Sequence, residues 1–283
     1  MKNSIYTSYG FGVLNNKENI DWVNLQKNKM IEYCKKHGLA FNVIDEKNKF
    51  MQIILNNFQT DKKPSCKDYS VYTLSAIAAI LDFCDSGYDN FYWLHLDMAI
   101  NLDNINIFDI LNIDNNHVYC WSNKKPTQED KIGWANTKIE WLKYLISKIN
   151  LSQDEEFYTL SNASLIFANK QSAMSFKQIL LEHLDILNIK IETKCIEETI
   201  LELVYYICKK KNLNLNIKEF WGARKTGPYA PAQFYEESFD NLSIDETVDK
   251  YKNAIFIHFW GESKKHIPEF YRRKNENNNN TVW

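Results

Sequence analysis

The sequence predicts an α/β chain built round a parallel sheet. Short apolar strands alternate with amphipathic helices over the first hundred residues, Gly38 and Gly87 close two of those helices, and short connections join the rest. Residues 4–13 read as the first strand and 20–37 as an amphipathic helix stopped by Gly38. Residues 39–44 form the second strand. After a polar connection, 69–86 has the period and alanine content of a helix, and it feeds the apolar strand 91–100. This alternation places ligands at the carboxyl ends of the strands. Further on, 118–122 reads as a strand, 136–148 as a helix, 160–168 as a strand, 173–188 and 196–211 as helices, and 254–259 as a last strand. No Ser/Gly/Pro linker divides the chain, so 1–270 is expected to be one domain of two joined halves, 1–101 and 102–270. A polar, low-complexity tail, 271–283, follows it.

Composition narrows the function classes. With 283 residues, a net charge of −2, 45 % apolar and 25 % charged side chains, the chain can bury a large core and is neither disordered nor fibrous. It carries no long basic run, which removes the electrostatic footprint of a nucleic-acid binder. The amino terminus lacks the apolar core of a signal peptide. The longest apolar run, 71–81, ends at Asp82 and is too short to span a bilayer, so a cytoplasmic protein is expected. Six cysteines, at 34, 66, 84, 120, 195 and 208, form no C-x-x-C pair and read as reduced thiols. Glycine (8), proline (5) and arginine (224, 272 and 273 only) are scarce, so where they fall is informative.

Three segments can carry chemistry. In Y-D-N-F-Y-W-L-H-L-D-M-A-I-N (88–101), strand alternation puts His95 and Asp97 on one side, where a carboxylate and an imidazole can meet one divalent ion. The alternative is a satisfied core histidine beside a turn-capping aspartate. In A-I-F-I-H-F-W-G-E-S-K-K-H (254–266), His258 ends a strand ahead of Gly261 and Lys264. An imidazole for metal, a glycine turn for backbone N–H groups and a point charge together suit a diphosphate; a solvated basic turn is the alternative. In F-W-G-A-R-K-T-G-P-Y-A-P-A-Q-F-Y (220–235), Gly227-Pro228 fixes a turn. Arg224 and Lys225 can clamp an anion there while Trp221, Tyr229 and Phe234 offer apolar faces for a sugar; a structural Ω-loop is the alternative. G-x-G-x-x-G, the P-loop pattern and G-x-S-x-G are missing, which argues against dinucleotide oxidoreductases, P-loop NTPases and α/β-hydrolases.

In order along the chain, these segments resemble a GT-A glycosyltransferase, a Rossmann-like nucleotide-sugar-binding fold with a mixed, mainly parallel central sheet flanked by helices. N-K-M-I-E-Y-C-K-K-H-G (28–38) is similar to the opening of several retaining enzymes of that fold, and W-L-H-L-D-M-A-I (93–100) to its metal strand. L-S-N-A-S-L-I-F-A-N-K (160–170) is similar to the strand that approaches the donor sugar. H-F-W-G-E-S-K (258–264) fits the H-x-x-G-x-x-K pattern of glycogenin-like enzymes, and K-T-G-P (225–228) resembles a turn of mannosyl- and toxin-type transferases. The sequence departs from the pattern at His95, where an aspartate usually stands, at Ala99, at Ser164, where glycine is usual, and at Lys265-His266.

The resemblance implies a nucleotide-binding half, 1–101, and a donor-sugar and acceptor half, 102–270. Asp97 and His258, with His95 as a further ligand, would bind Mn²⁺ or Mg²⁺. Lys264 and the backbone at Gly261 would hold the diphosphate of a nucleotide-sugar donor, and Thr7, Ser8 and Tyr9 would lie near its base and ribose. Asn162, Arg224 and Gly227 would sit near the donor sugar or the acceptor. The implied reaction is transfer of a sugar to an oligosaccharide or lipid-linked saccharide, a bacterial surface glycan being the expected product, with retention of configuration. Glu197 and Glu198, opening the helix after the donor-sugar strand, are the acids to test first, Glu198 ahead; stabilisation of the helix dipole is their other use. The basic and aromatic residues of 264–274, including Phe270 and Tyr271, offer a peripheral contact with an anionic membrane, against the alternative of a solvated tail. Two other classes compete: a nucleotidyltransferase of sugar metabolism, which would need a glycine-rich basic loop, and a metal-independent carbohydrate-binding protein.

Overall fold

The computed structural model describes residues 1–8, 17–57, 73–128, 134–183, 196–219, 232–234, 244–246, 251–259 and 261–280. The chain falls into two compact units, each assembled from three stretches: 1–11, 42–94 and 113–220 form one, and 12–41, 95–112 and 221–283 the other.

The first unit is built on six strands, β1 (Asn3–Ser8), β2 (Ala40–Ile44), β3 (Asn90–Leu94), β5 (His117–Lys124), β6 (Leu160–Asn169) and β7 (Asn216–Glu219), in the order β2-β1-β3-β6-β5-β7. Pairs β1/β3 and β5/β7 are parallel, whereas β6 is antiparallel to both of its neighbours. Strands β1, β3, β5 and β7 therefore run one way and β6 alone opposes them, so the sheet is mixed and mainly parallel. Buried side chains of α2 (Lys49–Asn57), α3 (Ser75–Asp85), α5 (Trp134–Lys148), α6 (Lys170–Leu181) and α7 (Ile196–Lys211) join those of the strands in one apolar core. Across the sheet itself, Tyr119 stacks on Phe167 at 4.5 Å and Tyr92 at 5.9 Å, a cross-strand aromatic row centred on β6. Asn169 ends β6 and caps α6, its Oδ1 accepting from the Ser172 N–H at 2.9 Å.

The second unit holds α1 (Lys17–Lys36), β4 (Met98–Ile100), α4 (Ile107–Ile110), β8 (Ala232–Phe234), β9 (Phe256–Phe259), a 3₁₀ turn (Gly261–His266) and α8 (Ile267–Asn280). Its small sheet runs β4-β9-β8, with Met98 opposite His258 in the antiparallel β4/β9 pair. Helix α1 stops where Gly38 takes φ +63°, a left-handed conformation that glycine adopts without a Cβ penalty, and the Leu39 N–H closes back on Cys34 O at 2.9 Å.

Two expectations need correction. The apolar run 91–100 is not one strand: β3 ends at Leu94, its last pairing being with Leu165, the Met98 N–H turns back to His95 O at 3.0 Å, and β4 joins the other sheet. His95 and Asp97, read from the sequence as strand positions, occupy that turn. The polar end is not a tail either, because α8 continues to Asn280. Phe270 and Tyr271 are buried on it, so these aromatics are core and not a membrane-facing surface. Its arginines pair with acids of the same helix, Arg272 with Glu276 at 2.8 Å and Arg273 with Glu276 at 3.6 Å. No described helix is long and apolar enough to cross a membrane. Cys34, Cys84, Cys120 and Cys208 are buried free thiols; Cys66 and Cys195 lie outside the described residues.

Candidate metal centre and a buried charged cluster

The turn between β3 and β4 carries His95 and Asp97, and β9 brings His258 to them. His95 Nδ1 lies 2.5 Å and His258 Nε2 3.1 Å from the same carboxylate oxygen, Asp97 Oδ1, and Lys264 Nζ lies 3.0 Å from Oδ2. The backbone locks this arrangement, since the Phe259 N–H donates to Asp97 O at 2.9 Å. Asp97 and His258 are buried; the side chains of His95 and Lys264 remain 41 % and 34 % exposed, which leaves the cluster open to a ligand. Burial by itself pushes the Asp97 carboxyl up, but His95, Lys264 and His258 outweigh it and hold the group well below the usual carboxylate range.

One donor atom from each of His95, Asp97 and His258 lies within 4.8 Å of the others, the one such grouping among the described residues. Two imidazoles and a carboxylate are a chemically suitable set for a divalent transition ion, close enough for one ion to gather them after small side-chain movements. Gly261 opens the 3₁₀ turn that carries Lys264.

The first unit holds a second cluster. Lys138 on α5 sits 2.9 Å from Glu198 Oε2 and 3.1 Å from Glu202 Oε1, both on α7, with all three side chains at most 5 % exposed. Lys138 Nζ donates to Ser161 O at 2.6 Å, the Ser161 N–H to Glu202 Oε1 at 2.7 Å and the Ala163 N–H to Glu198 Oε1 at 3.3 Å. Burial would discharge Lys138, but Glu202 and Glu198 overcome it and raise its affinity for the proton. Burial pushes Glu202 up to about 7 against the pull of Lys138.

The residues singled out in the sequence therefore separate. His95, Asp97, His258 and Lys264 come together. Glu198 is committed to a buried ion pair, which corrects the expectation of a catalytic acid with access to substrate, and its neighbour Glu197 is buried as well. Thr7 and Ser8 are buried at the end of β1, Ser8 Oγ accepting from Ser75 Oγ at 2.9 Å. Asn162 is half-buried on β6 and its Oδ1 accepts from the Ser164 N–H at 3.0 Å. Tyr9, Arg224 and Gly227 lie outside the described residues. Sequence reasoning missed Lys138 and Glu202, although each carried a signal. Lys138 falls in helical phase with the buried Leu142 and Leu145, and Glu202 follows Glu198 by one helical turn in an otherwise apolar stretch, a like-charge spacing that an isolated helix disfavours.

No protein-family profile and no curated protein matches the chain. Among solved structures, it aligns with a glycosyltransferase involved in the glycosylation of the major capsid of PBCV-1 at 12 % identity and a TM-score of 0.49, over 96 % of this chain and 100 % of that one. It also aligns with the galactosyltransferase LgtC in complex with donor and acceptor sugar analogues, at 10 % identity and a TM-score of 0.44, over 96 % and 95 %. Residue roles in this chain accordingly rest on its own geometry.

Proposed function

We propose that the chain is a GT-A-type glycosyltransferase that moves a sugar from a nucleotide-diphosphate donor to a saccharide acceptor with the help of a divalent metal and with retention of configuration. The observation that carries this reading is the His95–Asp97–His258 group with Lys264 beside it. These residues come from the two sequence segments, 93–100 and 258–264, that resemble the metal and diphosphate motifs of that class. A nucleotidyltransferase would use a glycine-rich basic loop that the sequence does not offer, and a metal-independent carbohydrate-binding protein would have no use for this grouping.

His95, Asp97 and His258 would hold Mn²⁺ or Mg²⁺. When bound, such an ion supplies positive charge to the departing diphosphate, the group on which negative charge grows as the glycosidic bond breaks. Lys264 is placed to exchange the Asp97 carboxylate for a phosphate oxygen, and the backbone at Gly261 to approach the same group. Asn162 would offer its amide to a sugar hydroxyl. Thr7, Ser8 and Tyr9 for the nucleoside, and Arg224 and Gly227 for the sugar or acceptor, belong to the same reading, as do a lipid-linked or surface saccharide as acceptor and a cytoplasmic site of action.

A thermal-shift screen of UDP-, GDP-, CMP- and TDP-sugars with and without Mn²⁺ tests it. A UDP- or GDP-sugar is expected to raise the melting temperature only when Mn²⁺ is present. Stabilisation by free saccharides alone, with no nucleotide and no metal effect, would overturn the reading in favour of carbohydrate binding.

A further inference from the structure

Strand β6 outruns its neighbour. It spans Leu160–Asn169, yet β3 pairs only with its second half, the last partners being Leu94 and Leu165, because the chain turns away at His95. Against β5 the ladder is also interrupted: between the pairs Cys120/Ile166 and Ser122/Asn162, β6 advances four residues while β5 advances two. A bulged stretch left without a strand on one side needs other partners for its buried backbone groups. Here they are ionic side chains: Glu202 takes the Ser161 N–H, Glu198 the Ala163 N–H, and Lys138 donates to Ser161 O while pairing with both acids. Apolar residues of the same volume would pack as well but would leave these backbone groups unsatisfied.

Between the two clasped residues lies Asn162. It alternates with buried Ser161 and Ala163 and is itself half-buried, and its Oδ1 is fixed by the Ser164 N–H. The Nδ2 donors have no partner among the described residues.

We propose that Lys138, Glu198 and Glu202 are positioning residues that replace the missing strand beside β6 and thereby hold the Asn162 amide ready for a sugar hydroxyl. The clasp itself stands on the geometry of this unit alone; its link to a sugar rests on the transferase reading given above.

The test uses the full chain, with Glu202→Ala, which removes the acceptor of the Ser161 N–H, Glu202→Gln, which keeps an acceptor oxygen at that place, and Asn162→Ala. Amide hydrogen exchange is expected to show Ser161 protected in the wild type, deprotected in Glu202→Ala and protected again in Glu202→Gln. With the donor found in the screen, kcat/KM falls roughly 10–100-fold in Glu202→Ala, the cost of a small misplacement of a binding group. Glu202→Gln recovers it, and adding Glu202→Ala to Asn162→Ala costs nothing more. Mn²⁺ affinity by calorimetry is the same in all variants. Where Glu202→Ala fails to fold, Glu202→Asp shortens the reach to Ser161 and serves in its place. Retained Ser161 protection in Glu202→Ala, or losses that multiply in the double variant, would overturn the proposal. A wild type that neither binds nor turns over any nucleotide-sugar defeats the transferase reading and with it the link to a sugar, while the exchange data still decide whether the acids hold the strand.

Discussion

The two ionic clusters of this molecule are built from similar side chains in opposite proportions. Around Asp97, one carboxylate meets an ammonium and two imidazoles; around Lys138, one ammonium meets two carboxylates. Both sit at burial depths where an unpaired charge would be costly. In the first, His95, Lys264 and His258 surround the one acid and hold Asp97 well below the ordinary range despite its burial, while His95 and Lys264 keep it in touch with solvent. In the second, burial outweighs the single lysine and Glu202 is pushed up to about 7, and the surplus acid is met by backbone N–H groups. The contrast separates a site from a scaffold. Two imidazoles and a carboxylate can take a metal ion without disturbing a backbone hydrogen bond of their side chains, so the first cluster can exchange partners. The second has no partner to exchange without unlatching β6.

The sharpest way to break this contrast is Asp97→Asn. It leaves two imidazoles and a lysine with no anion between them, and transfer is expected to fall by about 10³-fold or more, the loss of several kcal/mol of charge stabilisation. Mn²⁺ binding by calorimetry is lost with it, and the circular dichroism spectrum is unchanged. Normal turnover by this variant would remove the metal assignment. Lys138→Met is the counterpart in the other cluster. It strands two buried acids and is expected to cost about 3–5 kcal/mol in urea denaturation while leaving Mn²⁺ affinity intact. A loss of metal affinity of similar size would show that the two clusters are not independent.

How much of this was legible in the sequence follows from what each residue depends on. The helices at 20–37 and 196–211 and the strand at 160–168 were readable because periodicity is local, and His95, Asp97 and His258 stood out as polar residues interrupting apolar runs, which the fold brings together. The switch of sheet after Leu94 was not readable, because Phe91 to Ile100 is apolar on both sides of the break and only pairing with β6 and then β9 divides it. The opposed direction of β6 was hidden for the same reason. Glu198 stood out in the sequence but in the wrong role, because its position at a helix start looks the same whether the carboxylate faces solvent or Lys138. The polar run after 274 concealed a helix whose anchors, Phe270 and Tyr271, lie just before it.

Titration separates the clusters further. Glu202 takes its proton about 2.5 pH units higher in the folded chain than its ordinary value of 4.5, a difference read from its value of about 7. The groups facing it are Lys138 on α5, Glu198 on its own helix, the Ser161 N–H on β6 and, beyond Glu198, Cys120 on β5. The unfolded chain therefore releases this proton first as pH rises. Stability is lost between pH ~4.5 and ~7 by up to about 1.4 kcal/mol per pH unit, and the loss levels off above that window. Glu202→Gln cannot ionise, so the difference between wild type and variant in urea denaturation should move in the variant's favour across that window and stay flat above it. A difference independent of pH would mean that Glu202 is ionised throughout and that Lys138 wins over burial.

The mildest expected effect concerns what holds the open cluster in place. Behind Asp97, β4 is tied to its own unit by a relay of neutral groups, in which the Ile100 N–H donates to Tyr271 Oη at 2.8 Å, Tyr271 Oη donates to Gln26 Oε1 at 2.8 Å and Gln26 Nε2 donates to Met98 O, with Lys274 Nζ donating to Ile100 O at 3.4 Å beside it. Burial pushes the Tyr271 phenol far above its usual range, so it stays neutral at any working pH. Tyr271→Phe keeps the ring in its packing but leaves the buried Ile100 N–H and Gln26 Oε1 without their partner, at a cost of about 1–3 kcal/mol. Because none of these groups titrates, that cost should be the same at pH 5 and pH 8, unlike the cost of altering Glu202. The open cluster would then rest on a relay that does not titrate, and β6 on one that does. A Tyr271→Phe penalty that varies with pH would show Asp97 and its partners to be coupled to β4 through this network, and the division of labour would fail there.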